Sequence, residues 1–173
     1  GMLTCPCAQE MVRAEAEARL REHGLTPEAT AEVLSLVPVA THNQRGRGRL
    51  LAGADRPLRA EDLVEIVEGA MSSENYDLLK RPDELFVVEK AHRHPRFVED
   101  TVREMLRTFA NTYPDLPDDA YVHARQTNME TIHKHDVFAQ RGGRLDEIRG
   151  ELLDGRPRGR TTLAAWLTAR LEA

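Results

Sequence analysis

The sequence has few cysteines, few aromatic residues and no long apolar run. Two cysteines in 173 residues are too few for the disulfide framework of a small secreted domain, so thiolate chemistry is the expected use of the pair. Aromatic residues form 5% of the chain, which provides no stacking platform for single-stranded nucleic acid. Because no run of about 18 apolar residues occurs, the sequence predicts no membrane-spanning helix.

The size and charge of the chain narrow the class of protein further. A chain of 173 residues with 40% hydrophobic and 31% charged residues predicts one globular domain with one main core. The formal net charge of -5 argues against a general nucleic-acid-binding protein. No signal peptide precedes the cysteines, so we expect a cytoplasmic protein without nucleic-acid or membrane partners.

Both cysteines lie near the start of the chain, in the sequence Cys5-Pro6-Cys7. Two thiols do not complete a four-ligand metal site, so the pair alone is also consistent with two redox-inert side chains. Imidazole and carboxylate groups recur downstream, however, in four polar segments: residues 41–46, 80–84, 96–100 and 130–135. Taken together, the cysteines and these segments predict a functional site.

Apolar periodicity and capping residues predict an α+β fold. Helices are expected over Ala8–Glu22, Pro27–Leu36, Ala60–Ser72, Asp83–His92 and Arg96–Asn111, with two more in the tail from Leu145. Strand-like sequence covers residues 39–52, 121–126 and 131–139. The order of strand, helices and then strands is typical of the α+β class.

Two histidines lie two residues apart in the last predicted strand. On a regular strand, His133 and His135 would face the same side and Glu130 the opposite one. Both imidazoles would then reach one pocket. A pair of solvent-facing histidines would show the same spacing, so the pattern alone does not choose between the two.

Five motifs follow one another along the chain: Cys-Pro-Cys-Ala-Gln, His-Asn-Gln-Arg-Gly, Leu-Leu-Lys-Arg-Pro-Asp-Glu, Pro-Arg-Phe-Val-Glu-Asp and Glu-Thr-Ile-His-Lys-His. Together they resemble the GTP cyclohydrolase type IB family, and the long stretch between Cys7 and His42 looks closer to its archaeal, methanopterin-pathway branch. The resemblance covers Leu3 to Ala139. It implies the tunnelling fold, in which antiparallel sheets with helices on one face form barrels across subunits. We therefore expect a cyclohydrolase-like module over residues 3–143 and a C-terminal helical extension over 144–173.

The resemblance implies a metal-dependent enzyme that opens the imidazole ring of GTP. Such an enzyme hydrolyses C8 of guanine, releases formate and gives a 7,8-dihydroneopterin phosphate for folate or pterin biosynthesis. Attack at C8 needs a hydroxide at neutral pH, which a divalent metal supplies by lowering the pKa of bound water to about 7. Ligand types alone leave the metal open between zinc, iron(II) and manganese, and the product open between a triphosphate and a cyclic phosphate.

The matched motifs also imply roles for individual residues. The resemblance assigns the metal to Cys5, His42, Glu84 and His133. It places three catalytic groups beside the reaction: His135, Cys7 and Glu130. A plainer role exists for two of the ligands, because Glu84 would also suit a helix N-terminus and His42 would also suit a loop.

Substrate binding is assigned in the same way. The resemblance makes Glu99 the anchor of guanine, since a carboxylate accepts two N–H donors from the ring edge. The triphosphate partners are expected to be Arg45, Lys80 and Arg81, through charge-assisted hydrogen bonds. Glu99 would also suit the first turn of a helix, where its charge opposes the helix dipole.

The start and the tail of the chain bear on its assembly. Family members usually have an N-terminal module of the same fold and a strand that leads into the cysteines, whereas only Met2-Leu3-Thr4 separate Gly1 from Cys5. We therefore expect that strand to be missing, either by truncation or because a second chain supplies the missing module.

An apolar stripe in the tail predicts a homo-oligomer, as do the barrels that the family forms across subunits. The stripe comprises Leu163, Trp166, Leu167 and Leu171. The competing hypothesis is a non-catalytic purine- or pterin-binding or assembly subunit.

Overall fold

The computed structural model describes residues 1–172 as four strands and seven helices. The strands are β1 (Met2–Thr4), β2 (Asn43–Gly53), β3 (Tyr121–Met129) and β4 (Val137–Arg144). The helices are α1 (Pro6–Glu22), α2 (Pro27–Leu36), α3 (Ala60–Gly69), α4 (Arg81–Arg93), α5 (Val98–Thr112), α6 (Leu145–Leu152) and α7 (Leu163–Leu171). The predicted α+β class is confirmed. Within the described residues, no helix is both long and apolar enough to cross a bilayer.

Local sequence accounts for several of the helix ends. α2 begins at Pro27 behind Thr26, whose hydroxyl accepts a hydrogen bond from the backbone N–H of Ala29 at 3.2 Å. Gly24 follows the end of α1 with a φ of +90°, a left-handed conformation that glycine adopts without a steric penalty. α5 buries a face at helical spacing, formed by Val102, Met105, Leu106 and Phe109.

The strands form one antiparallel sheet in the order β1-β2-β3-β4. β1 pairs with the start of β2 in the register Met2↔Arg45, Leu3↔Gln44 and Thr4↔Asn43. A short leading strand is therefore present before Cys5, where the sequence predicted none. Three residues suffice because Thr4 is held by further bonds: its Oγ1 donates to the Ala91 carbonyl at 2.8 Å, and its N–H donates to Ser72 Oγ at 3.2 Å.

The first of two compact units comprises residues 1–46, 71–97 and 128–136. In this unit α1 packs against α2, and α4 packs against β1. Its interior includes polar side chains that are almost fully buried, among them Gln44 and His92. Buried polar groups must find hydrogen-bond partners, so they order the surrounding backbone.

The second unit comprises residues 47–70, 98–127 and the chain from Val137 onward. It contains the main apolar core, where α5 packs against α3, α6 and β4. Met105 and Phe109 of α5 are fully buried there. The division at residue 143 between a cyclohydrolase-like module and a helical extension stays a prediction.

The predicted strand over residues 131–139 is wrong for most of its length. β4 begins only at Val137, and residues 131–136 form an exposed, bent segment. The segment lacks the alternating apolar side chains that hold a strand against a core, and Ile132 is 62% exposed. His133 and His135 therefore do not project from a strand. Gly142 and Gly143 lie inside β4.

The tail forms two helices, α6 and α7, on either side of Gly155 and Gly159, as predicted. Trp166 in α7 packs on Tyr121, with ring centroids 5.6 Å apart, and its Nε1–H donates to the Asp119 carbonyl at 2.7 Å. The rest of the predicted apolar stripe stays exposed to solvent: Leu163, Leu167 and Leu171.

Candidate functional site

The end of β1 brings Cys5 next to His42. The backbone N–H of Cys5 donates to the His42 carbonyl at 3.3 Å, which continues the β1–β2 register by one pair. Directly opposite residues of an antiparallel pair project from the same face. Cys5 and His42 are thus neighbours at the end of the β1–β2 ladder, although they lie 37 positions apart in the sequence.

Cys5 also caps helix α1. Its Sγ accepts a hydrogen bond from the backbone N–H of Ala8 at 3.5 Å, and Pro6 occupies the first helical position, where no N–H is needed. Cys5 is partly buried, whereas Cys7, the second residue of the helix, is exposed. The fixed proline therefore separates two thiols with different surroundings.

Three side chains hold the loop that precedes His42. The Gln9 amide donates to the carbonyls of Val39 at 2.7 Å and His92 at 2.6 Å. The Thr41 hydroxyl donates to the Cys5 carbonyl at 3.1 Å, and His92 Nε2 lies 3.3 Å from the Thr41 carbonyl. These contacts fix the backbone on which His42 is carried.

His42 begins a chain of polar contacts that reaches Glu130. Its Nδ1 lies 3.1 Å from Gln44 Oε1, and Gln44 Nε2 donates to Glu130 Oε1 at 3.4 Å. Gln44 is 5% exposed, so its amide has little access to water. The two contacts therefore satisfy both ends of a buried amide.

Glu84 lies in the first turn of α4 and is exposed. The N-terminus of this helix is closed by Asp83, whose Oδ2 accepts the backbone N–H of Lys80 at 2.9 Å. Lys80 and Arg81 are also exposed. The helix thus presents a carboxylate and two cationic side chains together at one end.

The exposed segment 131–136 brings the two predicted histidines together. The rings of His133 and His135 stack with centroids 5.3 Å apart. The Thr131 hydroxyl donates to the Asn43 carbonyl at 3.0 Å, so the start of the segment is tied to the beginning of β2. The two histidines thus lie in an exposed loop and not on the expected strand face, and their roles at the site stay predictions.

The predicted substrate-binding residues are solvent-exposed. Glu99 lies in the first turn of α5, in the second unit, beside Asp100. Arg45 lies on β2, in the first unit. Both positions leave the charged groups accessible to a ligand, and their predicted roles in binding guanine and triphosphate stay predictions.

The structure brings together some of the predicted metal ligands and not others. A backbone hydrogen bond joins Cys5 to His42 just beyond the β1–β2 ladder. In the part of the chain that the structure describes, however, no three side chains of His, Cys, Asp or Glu form a metal-binding group. Glu84 and His133 stay predicted ligands on exposed elements. Sequence reasoning gave no role to Gln9 and Gln44, although both stand inside quoted motifs, nor to His92, for which no motif offered a signal.

Comparison with known proteins agrees with the quoted motifs. A family model described as type I GTP cyclohydrolase folE2 matches residues 1–139. GTP cyclohydrolase MptA of Methanothermobacter thermautotrophicus is 47% identical over 154 residues, which are 88% of this chain and 48% of that protein. The proteins of the same name from Methanococcoides burtonii and Methanococcus maripaludis (strain C5) are 46% and 44% identical over 154 residues, 88% of this chain and 49% of each.

The chain spans about half the length of the curated relatives it matches. The family match covers every predicted site residue, from Cys5 to His135. On this match, the chain belongs to the type I GTP cyclohydrolase folE2 family.

Proposed function

We propose that this protein is a metal-dependent GTP cyclohydrolase, which hydrolyses C8 of guanine, releases formate and forms a 7,8-dihydroneopterin phosphate. The observation that carries the proposal is the hydrogen bond from the backbone N–H of Cys5 to the carbonyl oxygen of His42, at 3.3 Å. It lies inside a chain that matches this family over residues 1–139. The product would enter folate or pterin biosynthesis.

The donor atoms of this pair fit a divalent metal. A cysteine sulfur and an imidazole nitrogen are ligands that zinc and iron share, whereas manganese favours oxygen ligands such as a carboxylate. When bound, the cation would supply an activated water for attack at C8. Cys5 and His42 would hold it, and we propose Glu84 and His133 as the further ligands.

The remaining predicted residues would bind and orient GTP. Glu99 would accept two N–H groups of guanine, which adenine cannot offer in the same arrangement. Arg45, Lys80 and Arg81 would hold the triphosphate, and their solvent exposure leaves their donors accessible. His135, Cys7 and Glu130 would act at the reacting ring, with His135 the proposed proton-transfer group.

We also propose that the chain works as a homo-oligomer with the tunnelling fold, or with a second chain that supplies an N-terminal module. Exposed apolar side chains on and before α4 support an assembly, because water-facing groups of this size gain stability when a partner covers them. They are Leu78 (84% exposed), Leu85 (66%), Phe86 (57%) and Val88 (50%).

Light scattering would test the assembly. We expect at least twice the chain mass of 19.5 kDa at working concentration. A double substitution of Leu85 and Phe86 by serine should lower that mass if α4 forms the interface, and serine at Leu167 and Leu171 should lower it instead if the tail stripe does. A wild-type monomer at every concentration would contradict the proposed oligomer.

The activity is tested by anaerobic GTP turnover with zinc, iron(II) or manganese added singly, with formate measured and the pterin product identified by mass. We expect stoichiometric formate and a dihydroneopterin phosphate with at least one metal, and no turnover by Cys5→Ala. GTP or pterin binding without turnover under every condition would favour the non-catalytic subunit. Absence of both binding and turnover would contradict both functions.

A further inference from the structure

Gln44 stands between a predicted metal ligand and a predicted catalytic residue. Its Oε1 lies 3.1 Å from His42 Nδ1, and its Nε2 donates to Glu130 Oε1 at 3.4 Å. All three residues belong to the first unit. Glu130 is thus connected to His42 through the amide of Gln44.

The direction of the hydrogen bonds follows from the chemistry of the two end groups. An ionised carboxylate only accepts hydrogen bonds, so the NH₂ group of Gln44 faces Glu130. The amide oxygen of Gln44 then faces His42, and an amide oxygen also only accepts. The hydrogen between them must therefore belong to His42 Nδ1, which leaves the lone pair of a neutral ring on Nε2.

We infer that Gln44 and Glu130 are positioning residues that hold the proton of His42 on Nδ1 and so present Nε2 as the metal-binding atom of the ring. Glu130 acts on the His42 imidazole through Gln44, and this role is separate from the catalytic role proposed for it at the guanine ring. This inference rests on the proposed function only where it uses Nε2 to bind a metal. The position of the proton on the His42 ring is a property of the metal-free protein.

The surroundings of Gln44 keep its side-chain amide from flipping. Gln44 is 5% exposed, and its backbone lies in the β1–β2 ladder opposite Leu3, which is fully buried. Outer groups of this kind fix the tautomer and orientation of histidine ligands in metal sites, and losing one typically costs about 10- to 100-fold in metal affinity.

The test reads the tautomer of His42 in the metal-free full chain, from the ¹⁵N chemical shifts of both ring nitrogens, with the signal assigned by its loss in His42→Asn. We expect a protonated Nδ1 and an unprotonated Nε2 in the wild type. Gln44→Met removes the acceptor at similar volume, and Glu130→Leu removes the group that orients the amide. Both should shift the ring toward the Nε2-protonated form.

A charge exchange separates this role from simple packing. The double variant Gln44→Glu with Glu130→Gln puts the carboxylate beside His42 and the amide donor beyond it. Unlike the single variants, this double variant should carry the ring proton on Nδ1, as the wild type does. Thr131→Val is the matched control, because it removes a hydrogen bond from the same segment to the same strand without touching the three-residue chain. It should leave the ring unchanged.

Metal affinity gives a second measurement, by competition of zinc ions against a chromophoric chelator. We expect Gln44→Met and Glu130→Leu to bind zinc about 10- to 100-fold more weakly, and the double variant to recover most of that loss.

A wild-type ring protonated on Nε2 would overturn the inference, and so would a folded Gln44→Met that keeps the wild-type ring. An equal change in Thr131→Val would also overturn it. If Gln44→Met does not fold, Glu130→Leu and the double variant decide. A wild type with the expected ring but no GTP turnover would refute the proposed function and leave this inference standing.

Discussion

The backbone N–H of Cys5 donates to the carbonyl of His42 at 3.3 Å. This bond closes the β1–β2 ladder at the point where α1 begins. It brings the backbones of Cys5 and His42 together, one pair beyond the last pair of the ladder. The two predicted ligands are therefore brought together by backbone pairing.

Metal content should depend on Cys5 and much less on Cys7. We expect Cys5→Ala to weaken metal binding by more than about 100-fold. Loss of a residue that only hydrogen-bonds to a metal ligand already lowers metal affinity by about 10- to 100-fold. Cys7→Ala is the matched control within the same motif and should retain metal. Elemental analysis after equilibration with each cation measures both. Equal metal content in wild type and Cys5→Ala would contradict the assignment.

Guanine binding should depend on Glu99 and leave metal content unchanged. Glu99→Gln keeps the shape but removes the charge and places a donor against a donor, so affinity should fall by about 30-fold to several hundred-fold, or about 2–4 kcal/mol. Calorimetric titration with a non-hydrolysable GTP analogue measures the change. Asp100→Asn is the control in the same helical turn, where Asp100 pairs with Arg103 at 2.5 Å. If Glu99→Gln binds as tightly as the wild type, Glu99 is only a helix-start carboxylate.

The packing of the tail should depend on the absence of a side chain at Gly53. A Cβ there would lie 2.5 Å from Trp166 Cη2, so Gly53→Ala must displace the indole ring. We expect the free energy of unfolding to fall by about 1–3 kcal/mol. The emission of the single tryptophan should shift to longer wavelength as the ring gains water contact.

Gly69→Ala provides the control for that substitution. Gly69 ends α3, and apart from its chain neighbours and the backbone of its own helix, nothing lies within 4 Å of the Cβ it would gain. Its free energy of unfolding should stay the same or rise by up to about 1 kcal/mol, because alanine favours a helix over glycine. A stable Gly53→Ala with unchanged emission would show that Trp166 does not rest on Gly53 in solution.

Acid stability should depend on Glu74. Burial would raise its pKa, but hydrogen bonds from Lys90, from its own backbone and from Tyr76, with the charge of Lys90, lower the pKa from 4.5 to about 2. Because the pKa is lower in the folded chain than in the unfolded chain, the stabilisation is complete above about pH 4.5 and is lost as the pH falls toward 2.

We therefore expect Glu74→Gln to lower the free energy of unfolding at pH 7 by about 1 kcal/mol, a modest value because solvent screens a partly exposed pair. The difference from wild type should shrink between pH 4.5 and pH 2, the range set by the two pKa values. Urea unfolding at several pH values measures it. Glu65→Gln, at an exposed position of α3, should show no such dependence. A constant difference at all pH values would rule out the ionised pair as the cause.

Local sequence was sufficient wherever a signal repeats within a few residues. α2 was predicted at its observed bounds because a threonine cap and a proline stand at its start. α5 was recognised by its apolar spacing. The segment 131–136 was misassigned because its β-branched and apolar residues suggest a strand, while the exposed Ile132 shows that no core is there to stabilise one.

The sequence by itself determined the family, the helices and the identity of the residues that could do chemistry, because each depends on residue types at short spacings. Only the tertiary structure decided which of those residues meet. Gln44 and Glu130 lie 86 positions apart, and Gln9 reaches the His92 carbonyl across 83. Such contacts leave no periodic pattern in the chain, since they arise when strands pair and buried polar groups must find partners.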